Sequence, residues 1–152
     1  MTMMKVGVLM GSANDADKMR GAVEVLQEFG VEVTEHVMSA HRTPERVQAF
    51  SQGARDNGYG AVICGAGMAA HLAGAVAAQT TLPVIGVPLS GGALNGVDAL
   101  YATVQMPRGM PVATVAIDNS TNAGLLAIAI LAVTDADLAK RLTAYRDRWR
   151  EA

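Results

Sequence analysis

Short apolar runs alternate with stretches of helical spacing along the whole chain. Val6-Gly7-Val8-Leu9-Met10 is short, apolar and closed by Gly11, the pattern of a parallel strand buried on both faces. Met19, Ala22, Val23 and Leu26 then recur on one face of a helix that ends near Gly30. Glu32 to Val37 alternates as a second strand. Pro44 suits the first turn of a second helix, whose apolar face is Val47, Phe50 and Ala54 and which Asn57-Gly58 ends. Ala61 to Cys64, Pro83 to Val87 and Val112 to Ile117 predict three further strands. From Gly124 to Val133 every residue is apolar or glycine, which predicts a helix buried on all sides but too short to span a bilayer. A final helix, about 135–150, places Leu138, Leu142, Tyr145 and Trp149 on one stripe.

Strand–helix alternation of this kind predicts an α/β domain of three layers: a parallel sheet, helices on both faces and right-handed crossovers. The 152 residues fit one domain, 1–152, with no repeat, linker or low-complexity segment. In such sheets ligands bind beyond the carboxyl ends of the strands, where loops lead into helix N-termini. The loops to search are therefore Gly11 to Asp15, Ser39 to Pro44, Gly65 to His71, and Pro88 to Asp98.

Composition narrows the function classes. Hydrophobic residues make up 51% and charged ones 17%, which excludes a disordered chain. Aromatics are only 4%, so small side chains suit closely packed helix-on-sheet layers. A mean hydropathy of +0.25 suggests that other subunits cover part of the surface. The net charge of −2 gives no reason to expect nucleic acid or an anionic membrane as partner. The single cysteine, Cys64, excludes a disulfide within the chain and reads as a small core residue; no Cys/His spacing suggests a metal site. The opening segment, Met1-Thr2-Met3-Met4-Lys5, leads straight into a strand without a charged-then-apolar signal pattern, an expectation of a cytoplasmic protein.

The loops carry the candidate chemistry. Gly11-Ser12 at a strand-to-helix turn offers backbone N–H groups, a hydroxyl and a helix dipole to an anion. A Walker lysine and a dinucleotide fingerprint are both missing, so neither ATP nor NAD is favoured. Asp15 suits either a ribose diol or a helix N-cap. Arg42 offers a planar fork to phosphate, and His41 beside it can move protons near neutral pH; the same two residues could equally be a surface pair at a helix start. Gly65-Ala66-Gly67 and Ala69-Ala70-His71 form a small-residue loop where backbone can approach a flat ligand, and His71 is open to a structural or a catalytic reading. His36, inside a strand, reads as structural. These residues together point to a phosphorylated, nucleoside-like ligand and acid–base chemistry, without naming the reaction.

Met10-Gly11-Ser12-x-x-Asp15, Ser39-Ala40-His41-Arg42-Thr43-Pro44, Gly65-Ala66-Gly67-x-Ala69-Ala70-His71-Leu72, Leu82-Pro83-Val84-x-Gly86-Val87-Pro88 and Val104-Gln105-Met106-Pro107 follow one another in an order that resembles the PurE family. That family comprises N5-carboxyaminoimidazole ribonucleotide mutases and related aminoimidazole ribonucleotide carboxylases. The resemblance implies a flavodoxin-like sandwich, a homo-octamer with sites at subunit contacts, a last helix packed on a neighbour, and no cofactor. It implies His41 and His71 as catalytic. It also implies that Gly11, Ser12, Asn14, Asp15, Ser39, Ala40 and Arg42 bind the ribose phosphate part, and that Gly67, Ala69, Ala70 and Leu72 close around the imidazole and the carboxyl group in transit. Met68 and Ala73 stand where the mutases usually have glycine and proline, and Asn14 replaces a usual serine. The segment Asp118 to Asn122 is shorter than in the mutases, as in the carboxylase branch. Arg42 and Ala69-Ala70-His71-Leu72 are mutase-like, so the expected reaction is carboxyl migration. The alternatives are a carboxylase using free carbon dioxide and a ligand-binding module that has lost the chemistry.

Overall fold

The computed structural model describes residues 4–152; of the opening Met1 to Lys5 segment, Met1 to Met3 lie outside the described residues. Five parallel strands stand in the order β2-β1-β3-β4-β5. They are β1 (Lys5–Met10), β2 (Val33–Val37), β3 (Tyr59–Gly67), β4 (Val84–Leu89) and β5 (Ala113–Thr114). The helices are α1 (Ala16–Glu28), α2 (Pro44–Gly53), α3 (Leu72–Ala77), α4 (Val97–Val104), α5 (Ser120–Leu131) and α6 (Ala136–Asp147).

Side chains alternate across each strand, so each buried strand supplies two cores. Val6, Val8, Met10, Ile63 and Ile85 face Met19 and Leu26 of α1, Ile128 of α5 and Leu138 of α6. Leu9, Val62, Cys64 and Val84 face the other way, onto Val47 of α2 and Leu72 and Val76 of α3. Each fully buried side chain of this kind contributes about 1.5–3 kcal/mol. Cys64 lies wholly in the second core, where burial pushes its thiol pKa far up and leaves it inert. The three-layer, flavodoxin-like α/β architecture is therefore as expected.

The chain moves from β1 outward to β2, then crosses back to β3 and continues to β4 and β5. Its direction of travel reverses between β1 and β3, which opens a crevice at their carboxyl ends. β3 ends in the small residues needed there, and Gly11 follows directly on β1. A Cβ on Gly65 would collide with the Met19 side chain beneath it.

Several boundaries differ from the patterning. β3 runs to Gly67, so Gly65-Ala66-Gly67 extends the sheet rather than opening a loop. β4 runs to Leu89 and contains Pro88, which costs the ladder nothing because β5 has already ended beside it. β5 itself has two residues rather than six. α2 stops at Gly53, and Asn57-Gly58 comes after a short turn. α5 packs Ala123, Gly124, Ala127 and Ile128 inward, but Leu125, Leu126 and Ile130 are only half-buried and Val133 is exposed. Within this chain its burial is one-sided, not all round. Gly124 permits the close approach of α5 to α1, since a Cβ there would meet Val25 and lie 3.1 Å from the Ala22 carbonyl oxygen. In α6, Leu138 is buried and Tyr145 packs on Phe29 at 5.4 Å between ring centroids, but Trp149 falls beyond the helix and is 70% exposed.

Candidate active site

After β1, Ser12 turns the chain by accepting the Asn14 N–H on its hydroxyl oxygen at 3.2 Å. One 3-10 turn, Ala13–Asp15, then leads into α1. Asp15 occupies the N-cap position of α1 yet makes no side-chain capping bond, so the capping alternative for it fails. Its carboxyl is half-buried instead. Desolvation raises its pKa above the ordinary carboxylate value, while the Lys18 charge and a hydrogen bond from the Ser12 backbone pull the other way.

The loop after β2 is braced from within. Ser39 Oγ accepts the N–H groups of His41 at 3.3 Å and Arg42 at 3.1 Å. Thr43 closes the turn: its hydroxyl accepts the Ser39 N–H at 2.8 Å, and its N–H donates to the Ser39 carbonyl at 2.9 Å. Pro44 then starts α2 with a preset backbone. Both His41 and Arg42 are exposed, and Arg42 makes no ion pair among the described residues. A guanidinium held at a loop tip without a partner is free to take an anion.

The loop after β3 carries Met68 at φ 49°, the left-handed region that favours glycine. That conformation suits a glycine, and Met68 adopts it with a full side chain. The Met68 side chain lies over Gly92, where an added Cβ would stand 3.1 Å from its sulfur. Three residues later His71 stands at the N-cap of α3, where it makes no capping bond.

The two loops meet at the histidines. His41 Nε2 and His71 Nδ1 are 2.8 Å apart, with the rings edge to face at 85°. One of the two nitrogens must carry the hydrogen and the other accept it, so the tautomers of the two rings are coupled. His36 stays apart, bonded at 2.9 Å to Thr34 Oγ1 beside Phe50 and Tyr59, in the structural role expected for it.

These loops enclose a cavity of about 330 Å³ at the carboxyl edge of the sheet. Gly11, Ser12 and Asp15 line one side, and Ser39, Ala40, His41 and Arg42 a second. Gly67, Ala69, His71 and Leu72 line the third. Asn14 does not reach it and faces solvent; Ala70 is 2% exposed and points its methyl into the protein rather than the cavity. The remaining wall lies in two of the loops to search, but its residues were not among the expected site residues: Ala66 and Met68, and above all Ser90-Gly91-Gly92 just after β4. The rule of strand carboxyl ends points to the Pro88 to Asp98 loop, but nothing in its residue types marks Ser90. No group of three or more His, Cys, Asp or Glu that could hold a metal ion occurs among the described residues.

Over residues 5–152 the sequence matches the family described as AIR carboxylase. The N5-carboxyaminoimidazole ribonucleotide mutase of Aquifex aeolicus is 56% identical over 137 residues, which cover 90% of this chain and 82% of the relative. The enzyme of the same name from Thermotoga maritima is 47% identical over 148 residues, covering 97% and 86%. The phosphoribosylaminoimidazole carboxylase of Schizosaccharomyces pombe is 51% identical over 146 residues, but they span only 26% of that longer protein. The crystal structure of Treponema denticola PurE superposes with a TM-score of 0.87 at 28% identity, covering 96% of this chain and 91% of that one.

Proposed function

The chain belongs to the AIR carboxylase family, and from that premise we propose how its residues convert N5-carboxyaminoimidazole ribonucleotide into 4-carboxy-5-aminoimidazole ribonucleotide. The reaction is an isomerisation in purine biosynthesis, as in the relatives named for it. Its atoms balance without a co-substrate: a carboxyl group leaves one nitrogen and joins one carbon of the same molecule.

The observation that carries the chemistry is the 2.8 Å bond between His41 and His71. The pair enters with one extra proton. While His71 donates to His41 Nε2, the Nδ1 of His41 carries a hydrogen and acts as the acid. It protonates the carbamate nitrogen, the C–N bond breaks, and carbon dioxide departs. As that proton leaves, the one shared with His71 crosses to His41 Nε2, so that His41 stays neutral and its Nδ1 becomes the base. The electron-rich C4 of the imidazole attacks carbon dioxide, and His41 removes the hydrogen left on C4, which restores the pair. Such a positioned acid–base group is worth about a hundredfold to ten-thousandfold in rate.

Substrate placement relies on groups still free to bond. The Ser12 and Ser39 oxygens already accept backbone N–H groups, but each hydroxyl hydrogen remains available to a phosphate oxygen. Arg42 supplies a bidentate fork, and the uncapped Asp15 suits the ribose diol. Gly67 at the end of β3 and Ala69 after it give the small wall that shapes the confined space for carbon dioxide, with Ala70 packed behind them.

Assembly belongs to the same proposal. Leu94, Val97, Tyr101 and Val104 are between 44% and 62% exposed at helical spacing along and before α4. An apolar row of this kind is covered by another copy of the chain in a closed oligomer, an octamer. Copies would also cover the half-buried outer side of α5 and receive the end of α6 with Trp149. A cytoplasmic location is supported by the charged substrate, which does not cross a membrane unaided.

The test is isotope transfer. Substrate labelled in its carboxyl carbon is incubated with the protein and no added bicarbonate. Label should pass into product with little dilution. Extensive dilution in a single turnover, with efficient use of the uncarboxylated ribonucleotide, would assign a carboxylase instead.

A further inference from the structure

Ser90 follows directly on β4, at a point where β5 has already stopped, so no ladder partner holds it. Side chains hold it instead. Its N–H donates to Asp118 Oδ1 at 2.8 Å, and its hydroxyl donates to Asp118 Oδ2. Lys18, from the first turn of α1, donates to the Ser90 carbonyl oxygen at 2.5 Å and to its Oγ at 3.0 Å. Every polar group of Ser90 is thus engaged by one acid and one base from two other elements.

Asp118 is itself held in an unusual place. It has φ 60°, a left-handed conformation that few side chains adopt, and its N–H donates to the Pro88 carbonyl at 2.9 Å. Its carboxyl pKa is lowered: burial acts to raise it, but the Ser90 hydroxyl, the Ser90 N–H and the Lys18 charge outweigh burial. All these groups lie near solvent, where such bonds add little to global stability. The segment after Ser90 is soft. Gly91 and Gly92 sit at φ 151° and 65°, so without a clamp on Ser90 the segment could swing freely. Gly92 bears on Met68, two residues before the Ala70–His71 step into α3.

We infer that Lys18 and Asp118 are positioning residues that clamp Ser90 and so set the Ser90-Gly91-Gly92 wall of the reaction cavity. The inference rests on the reading of that cavity as the reaction site. It links the loop after β1 to the loop after β4, and through Met68 to the loop that carries His71.

The test uses the full chain and three variants: Asp118→Ala, Asp118→Asn and Lys18→Met. Amide exchange at residues 90–92 reads the clamp directly, and kcat and KM for N5-carboxyaminoimidazole ribonucleotide read its effect. In Asp118→Ala, exchange at 90–92 should speed up at least about tenfold and kcat/KM should fall about tenfold, the scale of a displaced wall. The unfolding temperature should move by less than about 4 °C. Asp118→Asn keeps an oxygen for the Ser90 N–H and should recover most of both losses. Lys18→Met should lose less, and adding it to Asp118→Ala should cost nothing more, because one clamp is already open. Unchanged exchange in Asp118→Ala overturns the clamp, whatever the enzyme does. Faster exchange with unchanged kcat/KM overturns its role in the reaction. A parent protein with no turnover would sink the mutase reading alone and leave the exchange result to decide the clamp.

Discussion

The two ends of the sheet both hold cavities, and the larger one is not where the chemistry gathers. At the amino-terminal edge a cavity of about 700 Å³ is bounded by the end of α2, the end of α3 and the approach to β4. Four of its polar side chains are paired with each other: Arg55 donates to Thr81 Oγ1 at 2.8 Å, and Gln52 to Gln79 at 2.9 Å. Helix C-termini face it, with the negative ends of their dipoles. At the carboxyl edge the cavity has about half the volume, but it holds Arg42 without an ion-pair partner, an uncapped Asp15 and two histidines bonded to each other. Unspent bonding capacity, not volume, separates a reaction site from a recess.

The strongest way to break this contrast is His41→Asn. The His41 side chain lies in an exposed loop and supports no core, so the fold should persist. Turnover should fall by about a hundredfold or more, measured as kcat on N5-carboxyaminoimidazole ribonucleotide. Near-normal kcat in a folded variant would remove the carboxyl edge from the mechanism.

A matched pair of arginine substitutions sharpens the contrast further. Arg42→Lys keeps the charge but loses the fork, and KM should rise about tenfold. Arg55→Lys, at the other edge, should leave KM and kcat unchanged. Equal effects at the two positions would mean that charge, rather than placement, governs binding.

Legibility in the sequence divides along the same line. The sheet and its faces were legible because Val6, Val8, Ile63 and Ile85 obey period two and their burial depends on little else. The site loops were legible because the carboxyl ends of strands attract ligands whatever the fold's details. α4 escaped detection, since its apolar residues Val97, Tyr101 and Val104 face outward while Ala99 and Thr103 face in. Its amphipathic pattern describes a surface that this chain alone does not cover. The His41–His71 bond was out of reach as well, because two loops 30 residues apart fix it through tertiary placement. Ser90 lies in a loop that the strand-end rule marks, but its residue type does not stand out there: its place is fixed by Asp118 and Lys18, which are ordinary surface residues until the fold assembles them.

The smallest expected effect concerns the third histidine and asks whether proton chemistry is confined to one edge. His36 lies on the outermost strand between Phe50, Tyr59 and Thr34, with Arg46 and Lys5 nearby. Desolvation first, and then those two positive charges, lower its pKa below the ordinary 6.5. The folded state therefore resists the proton that the unfolded state accepts. Stability should be unaffected above about pH 6.5, fall as pH drops below it, and level off once the folded pKa is passed. Because the ring is only partly buried, the loss should be under about 3 °C in unfolding temperature between about pH 7.5 and 5.5. His36→Gln should remove that loss while leaving kcat at neutral pH as in the parent. His41→Asn should do the reverse for turnover, cutting kcat about a hundredfold or more. If His36→Gln instead changed the pH profile of kcat, the separation between a structural histidine in the sheet and a working pair at its edge would fail.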